Sequence, residues 1–104
     1  MDLIYFKFLN GEEVIAYAKK VIGGWYIERP AMLVNLEDFK VGLATWLPYT
    51  TLSISGNIPD ASILLIAQVE EEMVKYYNAW IGQGSKEVDI DEVKPIVETE
   101  PQTK

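Results

Sequence analysis

The sequence predicts a mostly β domain, a small barrel or strongly bent antiparallel sheet followed by one amphipathic helix. Three observations carry this expectation. Asn10-Gly11 separates residues 3–9 from residues 12–18, both rich in strand formers, and Asn-Gly readily supplies the two positive φ values of a type I′ hairpin turn. Gly23-Gly24 separates residues 19–22 from residues 25–29 and offers the same backbone freedom. From Glu70 the apolar spacing lengthens from two to three and four residues, the signature of a helix.

The other elements follow in order. A third apolar segment runs from Trp25 to about Leu36, and Pro30 inside it marks a bend, a bulge or an unpaired edge, because proline has no N–H to give to a ladder. Pairing across Gly23-Gly24 places Lys19 opposite Glu28 as a cross-strand ion pair. Glu37-Asp38 reads as a turn. Residues 41–47 read as a fourth strand ended by Pro48, with Gly42 suggesting a bulge or sharp curvature. Residues 52–56 alternate briefly, and residues 57–60 cluster turn formers. Residues 62–69 are so uniformly apolar that they fit a strand buried on both faces.

The helix is expected over about residues 70–82. Glu70, Glu71 and Glu72 stand where a helix N-terminus carries partial positive charge. Met73, Tyr76 or Tyr77, Trp80 and Ile81 form its apolar stripe, and Gly82 or Gly84 can end it. That stripe must cover the sheet or a neighbouring subunit. The expected division is a barrel plus helix over residues 1–84 and an acidic tail over residues 85–104, where Val88, Ile90 and Val93 are candidate anchors.

Composition bounds the function. With 104 residues, 49% apolar and 12% aromatic, there is material for one domain with a real core. Sixteen acids against nine bases give a net charge of −7, which repels phosphate backbones unless basic groups are gathered on one surface. No cysteine is present, so disulfides, thiolate metal sites and a cysteine nucleophile are excluded. With no histidine either, the commonest metal ligand and general base are missing. The N-terminus lacks the pattern of a secretory leader, and no apolar run reaches the roughly 20 residues that span a bilayer. A soluble, cytoplasmic protein with no membrane association is expected.

At this point the ordered motifs resemble a family. Residues 9–14, Leu-Asn-Gly-Glu-Glu-Val, followed by a second strand, a glycine turn and a long third strand, are similar to the first motif of Sm-like proteins, and residues 58–67 stand where their second motif brings in the last strand. Residues 11–14, 42–48 and 70–78 look like the small Sm-like proteins encoded by tailed phages, including those infecting cyanobacteria. The resemblance covers roughly residues 3–82. It implies a five-stranded, highly bent antiparallel barrel that closes into a homo-oligomeric ring of five to seven subunits by pairing edge strands, in the host cytoplasm if the source is a phage. It does not carry over an RNA site. Relatives that bind RNA have an Asp-x-Asn element between strands two and three, and a basic residue before the last strand. Here those places hold Val-Ile-Gly-Gly (residues 21–24) and Asn-Ile-Pro-Asp (residues 57–60).

The chemistry-bearing residues favour plain roles. Glu12 and Glu13 are strand neighbours that point to opposite faces, so they cannot share one ion or proton, and they read as solvated turn residues. The acids at 70–72 read as helix-start electrostatics. No hydroxyl nucleophile has an evident base and no phosphate-cradling loop occurs, so no catalytic residue, cofactor or metal is expected and the chain is read as a non-enzyme. Trp25, Trp46 and Trp80 read as core or interface aromatics, because stacking platforms for nucleic acid are interleaved with basic residues. The favoured expectation is a structural ring module whose partners are itself and another protein. The alternative is a weak single-stranded RNA binder, using Lys19, Lys20 and Arg29 repeated around the ring.

Overall fold

A computed structural model describes residues 1–82, so the anticipated tail and its anchors Val88, Ile90 and Val93 lie outside the described residues. Six strands and one helix follow in order: β1 (Asp2–Phe8), β2 (Glu13–Val21), β3 (Gly24–Leu36), β4 (Lys40–Thr45), β5 (Ser55–Pro59), β6 (Ile63–Gln68) and α1 (Glu71–Gly82). They make one antiparallel sheet of order β4-β3-β2-β1-β6, with β5 also pairing β3. The sheet is open, and it holds six strands where five were expected. The reason lies in β3. Its C-terminal half pairs β4 (Leu36 with Lys40 to Ala31 with Thr45) and its N-terminal half pairs β5 (Glu28 with Ser55 to Gly24 with Pro59). The two short strands thus lie end to end along one edge, interrupted by residues 46–54. Residues 57–59, expected as a turn, belong to β5, and the turn is the short 3-10 segment Asp60–Ser62.

Both hairpin turns form where glycine allows them, though neither takes the expected type. Lys7 pairs with Glu13, and Phe8 N donates to Glu12 O, leaving the three-residue loop Leu9, Asn10, Gly11. Only Gly11 has positive φ (94°), and its N–H donates to Phe8 O. This is the pattern of a turn closed by one left-handed glycine rather than a type I′ turn. Asn10 serves through its side chain, whose Oδ1 accepts from Glu12 N at 2.9 Å. In the second hairpin Val21 pairs with Gly24, so the loop is Ile22-Gly23. A Cβ on Gly24 would lie 2.1 Å from the carbonyl oxygen of Ile58 in β5, so Gly24 is needed in the strand for close approach and Gly23 (φ 78°) makes the turn. This one-residue shift places Lys19 opposite Tyr26 and Glu28 opposite Tyr17, and the expected Lys19–Glu28 pair does not form.

Pro30 marks a bulge. Ile15 pairs with Ala31 and Tyr17 with Glu28, so Arg29 and Pro30 together face the single residue Ala16. Arg29 has φ 53°, its N–H donates to Ile54 O at 2.8 Å, and its carbonyl accepts from Tyr77 Oη at 2.7 Å. Gly42, by contrast, sits in regular register opposite Val34 and forms no bulge. It leaves room for Leu36, whose Cδ1 would stand 3.1 Å from an added Cβ.

Strand alternation divides the apolar residues between two cores. The sheet curls around Phe6, Phe8, Val14, Ala16, Ala18, Ile27, Trp46 and Ile58. On its other face, Ile15, Ala31 and Leu43 are covered by Tyr77 and Trp80 of α1, with Met73 and Ile81 at the margin. The helix therefore covers its own sheet, and Tyr77 is its inward tyrosine while Tyr76 stays 40% exposed.

Two phenols, half-buried Tyr5 and buried Tyr77, predict an alkaline limit to stability. Burial, and then the hydrogen bond and charge of Glu13, push the Tyr5 hydroxyl up to about 12. Tyr77 is also pushed up, chiefly by burial and then by Tyr17, against a lowering contribution from Arg29. In the unfolded chain tyrosine ionises near about 10, so above that pH the folded state holds more protons and stability falls as pH rises. The contribution is complete below pH 10 and is lost through about pH 12. Urea melts between those limits should show a falling midpoint, and Tyr5→Phe should flatten that fall. An unchanged slope in the variant would contradict the assignment.

Candidate functional site

Three surfaces are candidates for recognition: the basic residues, the β6 edge, and a recess at one end of the curled sheet. The sheet geometry disperses the basic residues. Lys19 and Lys20 are consecutive in β2 and project to opposite faces. Lys20 Nζ is taken up locally, by the carbonyls of Val21 (3.0 Å) and Gly24 (3.2 Å) and by Asp60 Oδ2 (3.1 Å). The Asp60 N–H also donates to Gly23 O, so the lysine and aspartate tie the β2–β3 turn to the β5–β6 corner. Arg29 lies at the bulge, three residues along the ladder from Lys19. Among the described residues no group of three or more acidic, cysteine or histidine side chains could hold a metal ion. No helix among them is long and apolar enough to cross a membrane.

The β6 edge reverses an expectation. Residues 62–69 read as a strand buried on both faces, yet Leu64 is 57% exposed, Leu65 47% and Ile66 41%. The cause is position: among the described residues β6 pairs only β1, from Ile4 with Gln68 to Phe8 with Ile63, and its other edge is open. Alternation sends Leu65 to the side of Lys7 and Ile66 to the side of Phe6, so apolar groups are exposed on both faces of an unpaired edge. Lone exposed apolar residues are ordinary, but three in a row on an open edge invite another strand. At the opposite end of the sheet, β4 also has a free edge, with Val41 exposed.

The recess, of about 400 Å³, opens between the β1–β2 loop, the segment after β4, and β5. Its walls include Phe8, Trp46, Leu52, Ile58 and Pro59, and Phe8 stacks on Trp46 with ring centroids 5.2 Å apart and 7° between planes. Glu12 is its one charged lining residue, and its Oε1 accepts from Trp46 Nε1 at 3.1 Å. Glu12 is therefore a fixed, half-buried carboxylate and not a solvated turn residue. Its neighbour Glu13 points the other way, accepting from Tyr5 Oη and standing 4.0 Å from Lys7 Nζ. The opposite projection of the two acids was legible from strand alternation. Their partners were not, because Trp46 is 34 residues from Glu12.

No protein-family model matches this chain, and no curated protein matches it. The three tryptophans do form no exposed stacking platform: Trp46 and Trp80 are buried, and Trp25 packs edge-on to Phe6 at 5.6 Å.

Proposed function

We propose that this chain is a non-enzymatic structural module of Sm-like type that assembles into a homo-oligomeric ring, with another protein as the ring's partner. The observation that supports this reading is the open β6 edge with Leu64, Leu65 and Ile66 exposed, at the far end of the sheet from the open β4 edge. Pairing β6 of one copy along β4 of the next is a head-to-tail contact, which closes into a ring if the rotation per subunit divides the circle. It would satisfy both rows of unpaired backbone groups and bury the apolar strand. A size of five to seven copies follows from the Sm-like resemblance. The dispersal of Lys19, Lys20 and Arg29, together with the net charge of −7, argues against RNA as the ligand.

Light scattering coupled to size exclusion tests this at tens of micromolar. The wild type is expected to elute as one oligomer and the double variant Leu64→Lys, Leu65→Lys as a folded monomer, since neither side chain is buried within the subunit. A wild-type monomer would sink the reading. The same sample is expected to bind short U-rich RNA no better than micromolar at physiological salt. Nanomolar binding lost on changing Lys19 and Lys20 to glutamate would favour an RNA ring instead.

A further inference from the structure

From the recess beside the β1–β2 loop, we infer that this protein has a docking site for an arginine side chain presented by a partner protein between apolar residues. The inference rests on the chemistry of the walls and does not depend on ring assembly. About 400 Å³ lies within the range of about 300–1,000 Å³ usual for specific pockets, and suits one long side chain. The walls are apolar and aromatic, with the Phe8 and Trp46 rings stacked at 5.2 Å, so whatever enters must bring apolar surface. The lining holds one ionised group, Glu12, and no cation. The carboxylate is held in place because Oε1 accepts the Trp46 indole N–H at 3.1 Å, while Oε2 receives none of the described hydrogen bonds.

Each other class of occupant conflicts with one of these features. A wholly apolar side chain would cover the Glu12 carboxylate and leave a desolvated charge with only the Trp46 indole N–H to satisfy it. A phosphate or carboxylate would meet a like charge, in a chain already carrying −7. A small hydrated metal ion finds one carboxylate where several converging oxygens are needed. A guanidinium satisfies all three conditions. Its methylene stem packs along Leu52 and Pro59, its weakly hydrated head gives up water more readily than an ammonium does, and its edge donors reach Glu12 Oε2. Lysine offers the charge on a strongly hydrated ammonium without the rigid fork of donors, which is why arginine is the assigned group. The long-range field of the acidic chain would draw a basic partner in and would be screened by salt.

The test is an NMR titration of the full chain, following the Trp46 indole N–H and the amides of Glu12 and Asn57, with the probe acetyl-Leu-Arg-Leu-amide. The neutral isostere in which citrulline replaces arginine is the control. The arginine peptide should shift these resonances saturably, and the citrulline peptide should bind at least tenfold more weakly. Glu12→Gln keeps an oxygen for the indole hydrogen bond and removes the charge, and it should weaken arginine binding at least tenfold. Asn57→Asp adds a carboxylate at an exposed lining position and should strengthen binding several-fold, an outcome that a folding defect cannot mimic. Equal binding of both peptides, indifference to Glu12→Gln, or no saturable shift at millimolar peptide would each overturn the inference. So would an oligonucleotide that shifted these resonances in preference to the peptide.

Discussion

Replacing Trp80 with alanine should lower the stability of the chain by about 3–5 kcal/mol, the usual range for deleting a large buried aromatic. Trp80 is 2% exposed and joins Tyr77 in covering Ile15, Ala31 and Leu43, so its loss opens a cavity between α1 and the sheet. At about 4–8 °C per kcal/mol for a domain of this size, the melting temperature should fall by at least about 12 °C. The indole Nε1 is buried with no hydrogen-bond partner among the described residues, so part of the residue's packing benefit is offset in the wild type. Trp80→Phe removes that orphaned donor while keeping most of the ring, and should cost clearly less than Trp80→Ala. Urea melts of the two variants check both statements. A cost below about 1 kcal/mol for the alanine variant would mean that α1 contributes little to the second core.

Gly24→Ala is expected to cost about 3 kcal/mol, the upper end of what inserting a methyl group into a packed site usually costs. The added Cβ would stand 2.1 Å from Ile58 O, 3.0 Å from Ile58 C and 3.1 Å from Pro59 Cα, all of them backbone atoms that cannot rotate aside. The alternative to strain is separation of β5 from β3 over Gly24–Pro59 and Trp25–Ile58, which would pull Ile58 out of the first core. Gly23→Ala is the informative comparison: open space surrounds Gly23, and its substitution would meet only the cost of a left-handed backbone at φ 78°. Gly24→Ala should therefore be the more damaging of the two, by thermal melts under identical conditions. If the order is reversed, Gly24 is not the close-approach glycine.

Legibility of the fold tracked the range over which each determinant acts. Helix α1 was readable at its start, Glu71 against about 70, and along its stripe, because both signals are local. Pro30 announced a bend, a bulge or an unpaired edge for an equally local reason, the missing N–H, although which of these it makes and which residue of β2 it opposes were decided by pairing. The hairpins were legible as hairpins, but the second turn was placed one residue too late, which moved Lys19 two positions along β3, from Tyr26 to Glu28, since Ile58 lies 34 positions from Gly24 and decides which glycine enters the strand. The split of one edge into β4 and β5 was hidden because both halves of β3 look alike in sequence and only pairing distinguishes them.

The candidate sites divide in the same way. Lys19, Lys20 and Arg29 were named for their charge, and only the structure shows that Asp60, 40 positions from Lys20, takes that lysine and that Arg29 lies at a bulge. The recess was not read at all. Its signal was present in Phe8, Glu12 and Trp46 as single residues, and nothing in the sequence spacing says that a strand end, a loop and the segment after β4 will meet.

By itself the sequence determined the class of fold, the two glycine hairpins, the apolar stripe that docks α1, and the absence of cysteine and histidine chemistry. These depend on intrinsic φ preference, on periodicity and on composition, all properties of the chain before it folds. The tertiary structure alone decided that residues 63–68 lie on an open edge, although their composition matches a buried strand. Burial of a strand depends on what lies beside it, and a strand on an open edge can have the same composition as one enclosed on both sides.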